Sequence, residues 1–257
     1  MTIKCLYKAR IKSTMKDSIN TTLNYSYNFD LKKRKKKQIK FIIFHYTGMK
    51  KEIDAINKLI KQNSKVSSHY FIKKNGEILT MVPDLYIAWH AGISIWKNYK
   101  SLNKFSIGIE VSNPGHDNKY NNFTKKQIHS ILKLSKFLIK KYNIESKFIL
   151  GHSDISPDRK KDPGEKFPWE FLSKKKIGYW HSLNKRKLQK FRSQKISKSE
   201  ENTFIKNLNK IGYSKYLAKK NIHYKKILTT AFQRRFRPKL VNGIIDKECF
   251  IVSKNLI

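Results

Sequence analysis

Five short, mostly apolar and β-branched runs constrain the fold of this chain more than any other feature. They are Lys40–Phe44, Tyr70–Ile72, Ile78–Met81, Ser106–Val111 and Phe148–Leu150. Each is too short for an ordinary helix and reads as a buried strand. Asn75-Gly76, between the second and third runs, is a hairpin signal. Helical periods fill the spaces between other runs. Ile53, Ile56, Leu59 and Ile60 mark one helix face. Thr124 and Gln127 fit a capping box, and Ile128, Ile131, Leu132, Leu138, Ile139 and Tyr142 then trace a long amphipathic helix. Strands alternating with helices in this way argue an α/β sheet with helices packed on it.

Two of these runs deliver unusual polar residues. His45 ends the run Phe41-Ile42-Ile43-Phe44, and Gly151-His152-Ser153-Asp154 follows the last run, with Asp162 ten residues further on. Two imidazoles and one carboxylate from separate elements can hold a zinc ion with its fourth position open, which describes a hydrolytic metal site. Spacing alone leaves satisfied core histidines as the alternative, and leaves Asp154 as a competing carboxylate. Donor atoms sharing one tetrahedral ion should lie about 3–4 Å apart.

The wording around these residues decides between the readings. FHYTGM (44–49), VSSHYFIKKNGEI (66–78), AWHAG (88–92), SIGIEVSN (106–113) and GHSDISPDRKKDPGEKFPW (151–169) resemble, in order and spacing, the zinc N-acetylmuramoyl-L-alanine amidases of the type 2 family. That family shares a fold with the peptidoglycan recognition proteins, so the resemblance implies a mixed central sheet flanked by helices. It covers roughly residues 25–180. It implies zinc ligands at His45, His152 and Asp162, with Asp154 outside the coordination shell. It makes Glu110 the general base and Lys160 a cation beside the third ligand that stabilises an oxyanion. His69 either orients a ligand, touches the scissile carbonyl or is structural. Trp89 and His90 form a wall of the substrate groove or core packing, and Asn113 contacts the substrate peptide. The implied activity is zinc-dependent hydrolysis of the amide between N-acetylmuramic acid and L-alanine, in peptidoglycan or its anhydro-muropeptides. Members that lose a ligand become non-catalytic recognition proteins. All three ligands, Glu110 and Lys160 are present here.

Composition bounds the rest. Fifty-seven Lys and Arg against 18 Asp and Glu give a net charge of +39. Only eight of the basic residues are arginine, in a chain also rich in Asn, Ile, Phe and Tyr. Codon usage in an AT-rich genome explains that pattern, and attraction to an anionic partner is compatible with it. Nucleic acid is not the expected partner, because no reading element or stacking platform accompanies the charge. The basic run Lys32–Lys37 reads as a solvated loop or a phosphate patch. Cys5 and Cys249 are too few and too far apart for a disulfide framework, and free thiols suit a reducing compartment. No apolar run reaches the roughly 18 residues of a membrane span, and no secretory leader is visible. The chain as written is expected in the cytoplasm, as a monomer; a different true N-terminus would allow a periplasmic or cell-wall location.

Four segments are expected: an extension over 1–30, the amidase domain over 31–180, a linker over 181–198 and a small three-helix domain over 199–257. Ser199 followed by Glu200 and Glu201 reads as a helix start, with Phe204, Leu208 and Ile211 as its face and Gly212 as its stop. Ile227, Leu228, Ala231 and Phe232 mark a second helix ending near Pro238, and Asp246 begins a third. The phrase AFQRRFRP (231–238) with NGIID (242–246) resembles the three-helix peptidoglycan-binding domain. The alternative is a small helical domain with no ligand.

Overall fold

The computed structural model describes residues 19–214 and 222–257. Cys5 and the first eighteen residues of the expected extension lie outside them. The end of that extension is woven into sheets as β1 (Thr22–Leu23) and β2 (Phe29–Asp30). Two-residue strands carry no readable period, which is why this stretch looks irregular as sequence. Within the basic run, Arg34 is buried, and its guanidinium donates to the carbonyls of Asp84 and Asn103. A lysine run therefore contains one structural arginine.

β3 (Phe41–Tyr46) is followed by α1 (Glu52–Ile60), which buries Ala55, Ile56 and Leu59. Ile53 points outward, at 57% exposure, so the helix face is narrower than the apolar spacing suggests. β4 (Tyr70–Ile72) and β5 (Ile78–Thr80) form the antiparallel hairpin expected around Gly76, whose φ is +84°. Short strands β6 (Ile87–Ala88), β7 (Ile95–Trp96) and β8 (Tyr99–Lys100) cross a long connection to β9 (Ser106–Val111). α2 (Lys125–Tyr142) starts at the expected box: Thr124 Oγ1 accepts from the Gln127 N–H, and Gln127 Oε1 accepts from the Thr124 N–H. β10 (Ile149–Gly151) then leads directly into α3 (His152–Ile155).

The main sheet has the order β1-β5-β4-β9-β3-β10, parallel except for the β4–β5 hairpin. It is the mixed sheet the resemblance implies. Alternate residues of its central strands face two different cores, as a period of two requires. Ile42, Phe44 and Ile149 join Ile131, Leu134 and Leu138 of α2. Phe41, Ile43 and Leu150 belong to a second core. Burial on both faces explains why β3 reads as an unbroken apolar run.

The second core is completed by the C-terminal part of the chain. α4 (Trp169–Ser173) precedes α5 (Lys185–Gln189), a short helix inside the expected linker that buries Leu188. α6 (Lys198–Ile211) is capped by Ser197, not Ser199, with Glu200 closing the box. α7 (Tyr224–Phe236) and α8 (Lys247–Asn255) follow, the latter capped by Asp246. Phe204, Leu208, Leu228, Phe232 and Val252 from these helices share one contiguous core with Phe41, Ile43 and Ile155. Trp96 meets Tyr213 edge-on, with ring centroids 5.0 Å apart. Among the described residues no helix is long and apolar enough to cross a membrane.

Phe232 is fully buried in this core, packed on Phe204 and Phe236. Phe232→Ala is expected to destabilise the chain by about 3–5 kcal/mol. Denaturant melts followed by fluorescence and by far-UV signal should show one transition moving as a whole. A separate early transition for the C-terminal helices, with the rest unmoved, would contradict a shared core.

Candidate active site

The parallel register assembles the site. Gly151 pairs with Phe44, so His152, the next residue, lies beside His45. Glu110 of β9 pairs with His45 from the other side. All three thus stand at the C-terminal end of adjacent parallel strands, where open α/β sheets place their ligands. The loop after α3 brings Asp162 back, held by a Ser153 N–H donating to the Asp162 carbonyl at 2.8 Å.

His45 Nδ1 lies 2.9 Å from His152 Nδ1, and Asp162 Oδ2 lies 3.0 Å from both. All three side chains are buried. The hydrogen bonds behind them settle which ring nitrogens carry protons. Ser106 donates its hydroxyl hydrogen to the Leu102 carbonyl at 2.6 Å, so its oxygen accepts from His90 Nε2–H at 3.0 Å. His90 Nδ1 is then an acceptor, and His45 Nε2–H donates to it at 3.0 Å. On the other side, His152 Nε2–H donates to the Ala91 carbonyl at 3.1 Å. Both Nδ1 atoms are therefore lone pairs aimed at a carboxylate oxygen that also only accepts. Three acceptors converging in a buried space form a site that a cation would satisfy. Tetrahedral zinc would separate such donors by roughly 3.3–3.6 Å, a few tenths of an ångström more than here. Among the described residues this is the one cluster of His, Cys, Asp or Glu able to share an ion.

Burial lowers the pKa of His45 to about 4, with nearby His152 adding to the effect against the pull of Asp162. Burial alone would raise Asp162; positive charge and proton donors on the two imidazoles beside it hold it well below the usual carboxylate range, a task that falls to a bound cation when both Nδ1 atoms are lone pairs. A neutral His45 ring is the form that metal ligation requires.

Glu110 is the opposite case. Burial, and secondarily the charge of Asp162, push its carboxyl up to about 8 against the opposing field of Lys160. Its Oε2 is buried without a hydrogen-bond partner. Glu110, Lys160 and Trp89 line, with the three clustered residues, a cleft of about 320 Å³. The Trp89 indole N–H donates to Asp30 at 2.7 Å, which fixes the ring as one wall.

Other expected site residues fall elsewhere. His90 borders the cleft, yet both ring nitrogens are engaged with His45 and Ser106, so it orients the His45 ring. His69 lies behind His90, fully buried and outside the cleft. Its Nδ1 accepts from the Gly108 N–H, and its Nε2 lies 2.9 Å from Arg34 Nη2 and 3.1 Å from the Tyr86 carbonyl. Burial, with Arg34 alongside, lowers its pKa to about 3. Asn113 is also off the cleft: its amide donates to Asn121 and accepts from the Gly115 N–H, bracing a turn. His69 and Asn113 thus lie off the cleft, with their side chains engaged within the fold.

Several neighbours had no role assigned from sequence. Tyr46, on the cleft wall, donates to His116 Nδ1 at 2.9 Å, and His116 Nε2–H donates to Glu165 at 2.9 Å. Arg159 ties down the 91–93 loop by donating to the Ala91 and Ile93 carbonyls, both at 2.6 Å. These partners lie 49 to 70 residues apart in the chain, beyond any local pattern.

Gly108 shows how tightly the second layer is packed. A Cβ there would lie 2.4 Å from His90 Cγ. Gly108→Ala should displace His90 and remove the acceptor for His45 Nε2–H. Losing a ligand's outer partner costs roughly 10–100-fold in metal affinity. Chelator competition on a variant with unchanged far-UV signal checks this; unaltered affinity would deny His90 its orienting role.

Two imidazoles and a carboxylate converging at a sheet's C-terminal edge, with a buried carboxyl beside them, are a set of residues that could hold a metal ion. The chain belongs to the N-acetylmuramoyl-L-alanine amidase family, hydrolases of an amide bond, with residues 35–165 matching the family. N-acetylmuramoyl-L-alanine amidase AmiD of Escherichia coli is 32% identical over 232 residues, 86% of this chain and 83% of that protein. The 1,6-anhydro-N-acetylmuramyl-L-alanine amidase AmpD of the same organism is 41% identical over 105 residues, covering 41% of this chain and 55% of its own length. The structure of E. coli AmiD in complex with anhydro-N-acetylmuramic acid-L-Ala-D-γ-Glu-L-Lys superposes with a TM-score of 0.74 at 31% identity, over 85% of this chain and 88% of that one. AmpDh3 of Pseudomonas aeruginosa also gives 0.74, at 26% identity, over 96% of this chain and 98% of that one.

Proposed function

We propose that the cleft is a zinc site and that its substrates are 1,6-anhydro muropeptides, cut between the lactyl carbonyl of N-acetylmuramic acid and the L-alanine nitrogen. The observation that carries this reading is the convergence of three buried acceptors beside Glu110, whose Oε2 has no partner. The substrate follows from the relatives, which act on or bind anhydro-muramyl peptides. Two histidine nitrogens and one carboxylate suit zinc with an open position. Zinc there supplies Lewis acidity, which acidifies water and polarises a carbonyl. Glu110 takes a proton from the attacking water and hands it to the departing amine nitrogen. A raised pKa suits a group that must both accept and return a proton near neutrality. Lys160 places a positive charge where the carbonyl oxygen becomes an oxyanion. Trp89 offers an apolar wall for the sugar or stem peptide.

The reading extends to the C-terminal helices, which hold polymeric substrate near the cleft. Its support is the resemblance carried by residues 231–246. Phe232, Gln233, Arg235, Phe236 and Arg237 of that stretch are buried, so they support the unit's fold and leave the contact surface to exposed residues. The decisive experiment incubates purified protein with anhydro-muropeptides and with intact sacculi, with and without chelator, and weighs the products. Free stem peptide released from muropeptides and lost with chelator is expected. Release that survives complete metal removal would overturn the zinc assignment.

A further inference from the structure

Asp154 sits two residues from His152 and is not aimed at the cluster. Its Oδ1 accepts from the Tyr213 hydroxyl at 2.6 Å, and its Oδ2 from the Gly151 N–H at 2.8 Å and from Arg235 Nη1 at 2.5 Å. Arg235 Nη2 donates in turn to the Ile149 carbonyl at 2.9 Å, and the guanidinium lies 4.2 Å above the Trp169 ring. One arginine from α7 thus grips both ends of β10, the strand that delivers His152: Ile149 directly, and Gly151 through Asp154. Arg235, Asp154 and Tyr213 are each 1% exposed. A charge pair buried this deeply holds its geometry firmly, because any displacement leaves an unpaired charge. Tyr213 and Arg235 both come from the C-terminal region, at the end of α6 and within α7.

We propose that Arg235, assisted by Tyr213, is a positioning residue for His152, so that the C-terminal helices help set the metal affinity of the catalytic cleft. The inference rests on His45, His152 and Asp162 being metal ligands. It gives the C-terminal region a task separate from holding polymer. A tether can be cut without touching the chemistry, whereas removing this brace frees the backbone on which a ligand stands. Outer partners of ligands change metal affinity by roughly 10–100-fold, and Arg235 acts at one remove through backbone, so the lower end of that range is expected.

The test measures zinc dissociation constants by competition with a chromophoric chelator, on the full chain, well below every variant's melting temperature. The variants are Arg235→Met, Tyr213→Phe, His152→Ala and Val252→Ala. Val252 is buried in α8 and bonds to nothing near Asp154, so it reports on general loosening of the helices. Wild-type protein should bind one zinc, and His152→Ala should abolish it; failure here refutes the metal site itself. Given that result, Arg235→Met should weaken zinc about tenfold and Tyr213→Phe by a smaller, measurable factor. Val252→Ala should lower the melting temperature with zinc affinity unchanged. Wild-type affinity in Arg235→Met, or an equal loss in Val252→Ala, overturns the proposal. Should Arg235→Met fail to fold, Tyr213→Phe decides, since it removes one hydroxyl; unaltered affinity there would equally overturn it.

Discussion

Glu110→Gln is expected to lower turnover of an anhydro-muropeptide by roughly 10²–10⁴-fold while zinc stays bound at one per chain. Glutamine keeps the shape of the side chain and cannot accept the proton of the attacking water. Glu110 also sits where it makes no hydrogen bond with Oε2, so the substitution breaks no network. The pH profile gives a second readout. Only the ionised carboxylate can act as base, so activity should fall as the medium becomes more acidic than its pKa. Burial, with the charge of Asp162 adding to it, pushes that value up to about 8. A bound dication favours the charged form, so the acid limb should lie lower in the zinc enzyme and disappear in Glu110→Gln. Equal loss of metal in the variant, measured by elemental analysis, would make Glu110 a ligand and refute its role as base.

Asp162→Ala is expected to remove both metal and activity. Its carboxylate, 3.0 Å from Nδ1 of both His45 and His152, would supply the negative charge that balances the proposed zinc. Without it, zinc affinity should fall by more than the roughly 10–100-fold seen when an outer partner is lost. Stability supplies an independent measure. A ligand that binds only the folded state stabilises it by about 4 kcal/mol at a thousand times its dissociation constant. Melting temperature of the wild type should therefore rise with added zinc and fall with chelator. The variant should melt at one temperature in both. A zinc-dependent rise that persists in Asp162→Ala would show that the ion binds elsewhere.

Much of the site was legible because its parts are local. His45 and His152 each follow a run whose apolar, β-branched pattern marks a strand, and the motif containing Asp162 is long and unusual. The capping box at Thr124 and the hairpin at Gly76 were readable for the same reason. Where local pattern ran out, a long-range partner decided. His69 looks like a candidate for the groove until the Gly108 N–H and the Tyr86 carbonyl claim its ring. Asn113 ends a motif strand, yet its amide closes a turn. Ser197 takes the cap in place of Ser199 because its hydroxyl, not that of Ser199, reaches the Glu200 N–H.

Residue order alone therefore determined the α/β class and the strands, and the resemblance of its motifs pointed to His45, His152 and Asp162 for a metal. Periodicity and motif spacing are local quantities and are fully written in the chain. Only tertiary structure decided how those residues are used. It fixed the two Nδ1 lone pairs through proton chains ending at the Leu102 and Ala91 carbonyls. It turned Asp154 away from the cluster and onto Arg235, 81 residues later. It also laid the C-terminal helices over the core that holds Phe41 and Ile43. Those outcomes depend on hydrogen-bond partners and burial contributed by distant segments, and such partners leave no period or spacing to read.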